Sequence, residues 1–183
     1  IRYSIISNNQ RGIWIVSRAS NVISHNMIID NYNGSGIYLW PPDNKNYIFN
    51  NFFFNNTPYN VHDVTELEIN MNYYNYSIQE GNPHAAPLNI IGQPALKIGD
   101  YYHYGNYWDD YNGSDEDNDG IGDVPYPVPK MGWEDKIPMV DILPPKYFGI
   151  LGPSGIFEYS PEASYEFRIT WKDNVHIDKV IFE

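Results

Sequence analysis

Three features of the 183-residue chain predict an all-β fold: apolar triplets returning at intervals of 24 to 25 residues, a composition rich in Tyr and Asn, and one crowded acidic loop. Together they specify a right-handed parallel β-helix, a solenoid whose C-terminal cap carries a calcium loop, and after it the opening strands of a β-sandwich. The expected division is residues 1–80 for the coils, 81–143 for the cap segment, and 144–183 for the truncated sandwich.

The coils come first. "ISNNQRGIWIV", "IIDNYNGSGIYLW" and "FFFNNTPYNVHD" are variations on one unit, with Ile13, Ile37 and Val61 at intervals of 24 and Ile23 and Ile48 at 25. No segment holds a 3.6-residue period over a useful length, which excludes a helical solenoid. Successive coils of a parallel β-helix stack about 4.8 Å apart, the ordinary strand spacing. Alternation then turns Ile13, Ile15, Ile37, Leu39 and Val61 inward and Trp14, Tyr38, Trp40 and His62 outward. Because Trp14, Tyr38 and His62 share the period of 24, they should form one exterior ladder, a candidate platform for sugar rings. Asn8, Asn31 and Asn56 mark one corner and Asn26 and Asn51 another, where stacked amides bond between coils and tolerate left-handed backbone. Asp30 and Asp63 read as turn residues.

The cap carries the chemistry. Between Asp109 and Asp123 lie seven acidic side chains and no Lys or Arg. Counted from Asp115, carboxylates stand at positions 1, 3, 5 and 9 (Asp115, Asp117, Asp119, Asp123), with Gly120 at 6 and the Ile121 carbonyl at 7. This is the spacing of a D-x-D-x-D-G calcium loop: alternate oxygens converge, Gly allows the sharp turn, and a hard cation converts repulsion into coordination. Position 12 is Tyr126 and neither flank is helical, so the loop is not an EF-hand. Asp109, Asp110 and Asn112 are candidates to complete the shell, and Ca²⁺ is the expected ion.

Composition bounds the partners. A formal charge of −12 and a pI near 4.6 argue against nucleic acid, whose phosphates need basic patches. The absence of Cys removes disulfides, thiolate metal sites and a thiol nucleophile. No apolar run reaches membrane-spanning length. The chain opens inside a patterned segment and closes within a strand-like one, the texture of a piece of a longer polypeptide. Sequons at Asn33, Asn55, Asn75 and Asn112 make a glycoprotein plausible for an exported chain. Past "LPPKYFGILGPSG", Tyr165, Phe167, Ile169 and Trp171 alternate as in the first strands of an immunoglobulin-like sandwich, which would need a covering partner such as a neighbouring subunit.

The run from "NIIG" (89–92) through "GNYWDDY" (105–111) to Asp115–Asp123 and Pro125–Tyr126 resembles the C-terminal part of NosD-like β-helix proteins. These are members of the carbohydrate-binding and sugar-hydrolase group found on archaeal and bacterial surfaces. The resemblance covers roughly residues 1–143 and implies the β-helix fold and an extracellular or cell-surface location. The expected function is a structural or adhesive, calcium-stabilised surface module, glycan-binding or filament-forming. A polysaccharide lyase or glycoside hydrolase with catalytic coils upstream is the alternative; no catalytic residue is assigned within this chain. A periplasmic copper-handling protein is a further one, implied by the family's name, although five scattered His and no Cys form no copper motif.

Overall fold

The computed structural model describes residues 1–16, 20–40, 45–64, 72–129, 133–142, 146–151 and 168–172. The chain divides into two units, Ile1–Ile142 and Leu143–Glu183. Every element among the described residues is a strand.

Each turn of the first unit contributes short strands to separate parallel sheets. The first coil supplies β1 (Ile5–Ser7), β2 (Ile13–Ile15) and β3 (Val22–Ser24). The second supplies β4 (Met27–Ile29), β5 (Ile37–Leu39) and β6 (Tyr47–Phe49). The third supplies β7 (Phe52–Phe54), β8 (Val61–Asp63) and a bridge from Tyr73 back to Tyr47. Ile13, Ile37 and Val61 pair in register, as do Trp14, Tyr38 and His62, and Ile23 with Ile48. The 24-residue period is therefore one coil of a parallel β-helix. Strands this short gain little alone; stacking buries Ile13, Ile23, Ile28, Ile37, Leu39, Ile48, Phe53 and Val61 in one continuous bore.

The chain then leaves the solenoid. Strands β9 (Tyr76–Gln79), β10 (Leu96–Ile98) and β11 (Tyr101–Tyr104) form an antiparallel sheet in the order β10-β11-β9. At β12 (Tyr107–Trp108) the chain returns and adds a parallel strand beside β7. A hairpin of β13 (Tyr126–Val128) and β14 (Trp133–Asp135) closes the unit. The bore ends in an aromatic pile. Phe53, Trp108 and Tyr126 stack with centroids 4.6 and 4.2 Å apart and planes within 9°.

Two of the corners obey a two-residue rule. A left-handed residue turns the chain, and the next residue aims its amide at the following coil. Tyr3, His25 and Asn50 are the turning residues at one corner (φ 53°, 58°, 52°), and Asn8, Asp30 and Asn55 at the other (φ 58°, 52°, 51°). Asn8 is therefore not stacked with Asn31 and Asn56, as the sequence suggested; its neighbour Asn9 is, donating to Asn31 Oδ1 from both backbone and side chain.

In the second unit, β15 (Lys146–Leu151) and β16 (Arg168–Lys172) pair antiparallel with a register shift between Phe148 and Ile150. Tyr165, Phe167 and most of the expected sandwich segment lie outside the described residues.

Candidate metal centre and the end of the solenoid

Three asparagine ladders run along the coils, and each rung works alike. The backbone and side-chain N–H of one Asn both donate to the Oδ1 of the Asn one coil later. The first ladder is Asn26 to Asn51 to Asn106, at 2.9–3.1 Å throughout. Between Asn51 and Asn106 the whole antiparallel sheet is looped out, yet the rung is kept. Asn9, Asn31 and Asn56 make the second ladder. The third, Asn21 to Asn46 to Asn72, was not read from the sequence.

All three ladders end on carboxylates. Asn106 donates to Asp135 Oδ2 at 2.7 Å, and the Trp108 indole joins it at 3.0 Å. Asn56 passes to Asn60, which donates to Asp109 at 2.7 Å and Asp110 at 3.0 Å. Asn72 and the Tyr74 hydroxyl both donate to Asp63 Oδ2, at 2.8 and 2.6 Å. An amide at the last rung would present donors with nothing beyond to receive them; a carboxylate only accepts, so it closes the series. Asp63 is accordingly no turn residue. It is the fully buried last residue of β8. Burial pushes the Asp135 carboxyl up to about 7, against the pull of its donors Trp108, Asn106 and Ile137.

The segment "GNYWDDY" is now legible residue by residue. A Cβ at Gly105 would fall 2.7 Å from Asp135 Oδ1 and nearer still to the Ile137 carbonyl, so only Gly fits. Asn106 is a rung, Tyr107 stacks on Phe52 outside the bore, Trp108 fills it, and Asp109 and Asp110 close the second ladder. Tyr111 fastens the acidic loop: its hydroxyl donates to the Val124 carbonyl at 2.7 Å, and its ring lies against Gly113 and Gly122.

Within that loop Asp115, Asp117 and Asp119 each bring a carboxylate oxygen within 4.8 Å of the others. Asp115 accepts from the Asp119 and Gly120 N–H groups at 3.2 and 3.0 Å, and Asp119 from Ile121 at 2.8 Å. Gly120, expected at the sharp turn, takes the left-handed conformation (φ 85°), and so does Asn118 (φ 57°). The antiparallel bridge from Ile121 to Met139 uses backbone groups of Gly120 and Gly122. Ile121 thus keeps its own carbonyl on the side where its N–H meets Asp119. Asp123 stands outside the three-carboxylate group and closes the loop by accepting from Glu116 at 2.8 Å.

Asp109 and Asp110, candidates for the remaining ligands, accept from Asn60 at the ladder end, and Asp110 also from the Tyr126 hydroxyl. Asn112 is exposed. Burial, then the charges of Asp117, Asp115 and Asp123, hold the Asp119 carboxyl above its usual range. Among the described residues the one salt bridge is Lys97–Glu80, away from the loop. Sequence reasoning also missed Gln93, which packs against the loop from the antiparallel excursion. Its Oε1 lies 2.9 Å from where a Gly120 Cβ would stand, and its Nε2 donates to Asp141 at 2.8 Å.

The outward ladder is formed. Trp14 and Trp40 are more than half exposed, Tyr38 and Trp40 stack at 6.0 Å, and His62 meets Tyr38 edge-on at 4.8 Å. Of the sequon residues, Asn33, Asn55 and Asn112 are exposed and Asn75 is half-buried; Asn55 donates to Asp30 at 2.7 Å.

No curated protein and no solved structure matches the chain. No helix among the described residues is long and apolar enough to cross a membrane. The family model described as "Periplasmic copper-binding protein (NosD)" matches residues 1–113, which carry the coils, the ladders and the "GNYWDDY" segment. With more than half its length matched and its strands stacked as parallel coils, this chain belongs to the NosD family.

Proposed function

We propose that this chain is a calcium-stapled β-helix module of an exported protein, acting at the cell surface as a structural and glycan-contacting element. One observation carries the metal: three carboxylates converge within 4.8 Å in a loop that Tyr111 clamps to the last coil, with no cation of the described chain to answer them. Asp115, Asp117, Asp119 and the Ile121 carbonyl would hold the ion. All are hard oxygens, the donor set of Ca²⁺. Bound there, calcium cancels mutual repulsion and ties the loop to the solenoid's end. The surface role rests on the exposed Trp14 and Trp40 with half-buried Tyr38 between them, whose rings suit sugar faces.

Copper, named by the family's description, finds no comparable site. Among the described residues, the one group of three or more His, Cys, Asp or Glu side chains close enough to hold a metal is the Asp115, Asp117, Asp119 cluster. Copper favours imidazole and sulfur. For lyase or hydrolase chemistry, the described coil carboxylates Asp30 and Asp63 are occupied in hydrogen bonds to Asn55 and to Asn72 and Tyr74.

Thermal melts of chelator-treated protein, with and without Ca²⁺, test the staple. At a hundredfold excess over Kd the ion should add about 2.7 kcal/mol, read as a rise of several degrees in Tm. Asp119→Ala should abolish most of that rise while leaving the calcium-free melt nearly unchanged. An equal melt with and without the ion overturns the reading.

A further inference from the structure

We propose that the ligand of the outward aromatic row is an acidic glycan, a polysaccharide bearing hexuronate carboxylates, and that Arg11 selects it. This rests on the glycan-contact reading above. The Arg11 guanidinium carbon sits 4.6 Å from the Trp14 ring centroid and 4.9 Å from that of Tyr38, spanning two coils. The pose is built in. The stem of Arg11 runs over Gly34 in the next coil, and a Cβ at Gly34 would collide with Arg11 Cγ and lie 2.8 Å from the Gln10 carbonyl. A residue without a side chain there gives the guanidinium its bed.

The placement decides between ligand classes. A neutral sugar would compete with Arg11 for the faces of Trp14 and Tyr38. A uronate need not: its carboxylate meets the N–H edge of the stacked guanidinium, while its ring lies on the neighbouring exposed Trp40. The outward positions of β2, β5 and β8 are Trp14, Tyr38 and His62, without a carboxylate among them. On a chain of formal charge −12, that leaves this face open to an anion the rest of the surface repels.

The test uses oligogalacturonate and its fully methyl-esterified form, which keeps the sugar rings and loses the charge. Each is titrated into the whole chain by calorimetry at fixed free calcium. The acid should bind at least about tenfold tighter than the ester, with affinity falling as salt rises. Arg11→Gln should lose about tenfold for the acid and nothing for the ester; Trp40→Ala should weaken both. Equal binding of acid and ester keeps the glycan-contact reading and overturns the acidic one. Binding of neither overturns both. Acid binding indifferent to Arg11→Gln removes the site from this face.

Discussion

The coils and the cap handle the same group in opposite ways. In residues 1–64 the inner corner amides both give and receive, so Asn26, Asn31 and Asn46 pass one pattern from coil to coil, and the one buried carboxylate there, Asp63, ends the third ladder. From Gly105 onward the acceptors are carboxylates: Asp109, Asp110 and Asp135 take what the ladders deliver, and Asp115, Asp117 and Asp119 face one another. The amide propagates and the carboxylate terminates. A solenoid needs a residue that cannot continue the series as much as one that can, and its cost is negative charge concentrated at one end.

The joint between the two regimes is Asn106, and cutting it should have the largest effect. Its side chain accepts from Asn51 and donates to the Ile48 and Tyr74 carbonyls, while its backbone N–H donates to Asp135, all fully out of solvent. Asn106→Ala keeps that backbone bond but removes the side-chain donor to Asp135, Ile48 and Tyr74 and the acceptor of the Asn51 donors, a loss of about 3–5 kcal/mol. Urea unfolding should show it, whereas Asn9→Ala, at the exposed first rung, should cost under about 1 kcal/mol. Equal losses at the two positions would mean that the ladders do not act as a coupled series.

Next comes the charge that ends the first ladder. Asp135 titrates near 7 in the fold against about 3.9 in an unfolded chain. The folded state therefore holds this proton more tightly. The contribution is fully present below about pH 4 and is lost as pH rises through about 7. Relative to Asp135→Asn, the native chain should lose on the order of 2–4 kcal/mol between those limits. A pH-independent difference would show that the Trp108 and Asn106 donors, not desolvation, govern the group.

How much of this contrast the sequence displays depends on the length of each signal. Ile13, Ile37 and Val61 keep an unbroken period, so the sheets and the outward row of Trp14, Tyr38 and His62 were legible. The convergence of Asp115, Asp117 and Asp119 was too, because their D-x-D-x-D-G spacing is contiguous. A ladder shows one Asn per coil in a chain full of Asn, so Asn8 passed for Asn9 and the Asn21, Asn46, Asn72 series went unseen. Asn106 was hidden by the excursion of β9 to β11. Isolated Asp residues look like turns until the structure shows what donates to them, as at Asp63 and Asp135. Arg11 stood in plain view, but its seat over Gly34 is a contact between coils and has no local signature.

His25 sharpens the comparison from the coil side. It turns the corner where Asn50 does so one coil later, with φ 58° against 52°, and its ring lies 4.8 Å from that of Tyr3. Burial, then the charges of Arg2 and His84, lower the imidazole to about 4. The sign is opposite to that of Asp135. The unfolded chain binds this proton more tightly, so the contribution stands in full above about pH 6.5 and is lost as pH falls toward 4. Between those values the two groups oppose each other, and the native chain should show a nearly flat profile. His25→Asn keeps a residue suited to the left-handed corner and removes the titration. At pH 5 the variant should gain about 1–2 kcal/mol relative to its difference from the native chain at pH 7, leaving the downward slope of Asp135 exposed. The double variant His25→Asn, Asp135→Asn should return the profile to flat; a persistent slope would place the titration in the acidic loop, where added calcium should shift it.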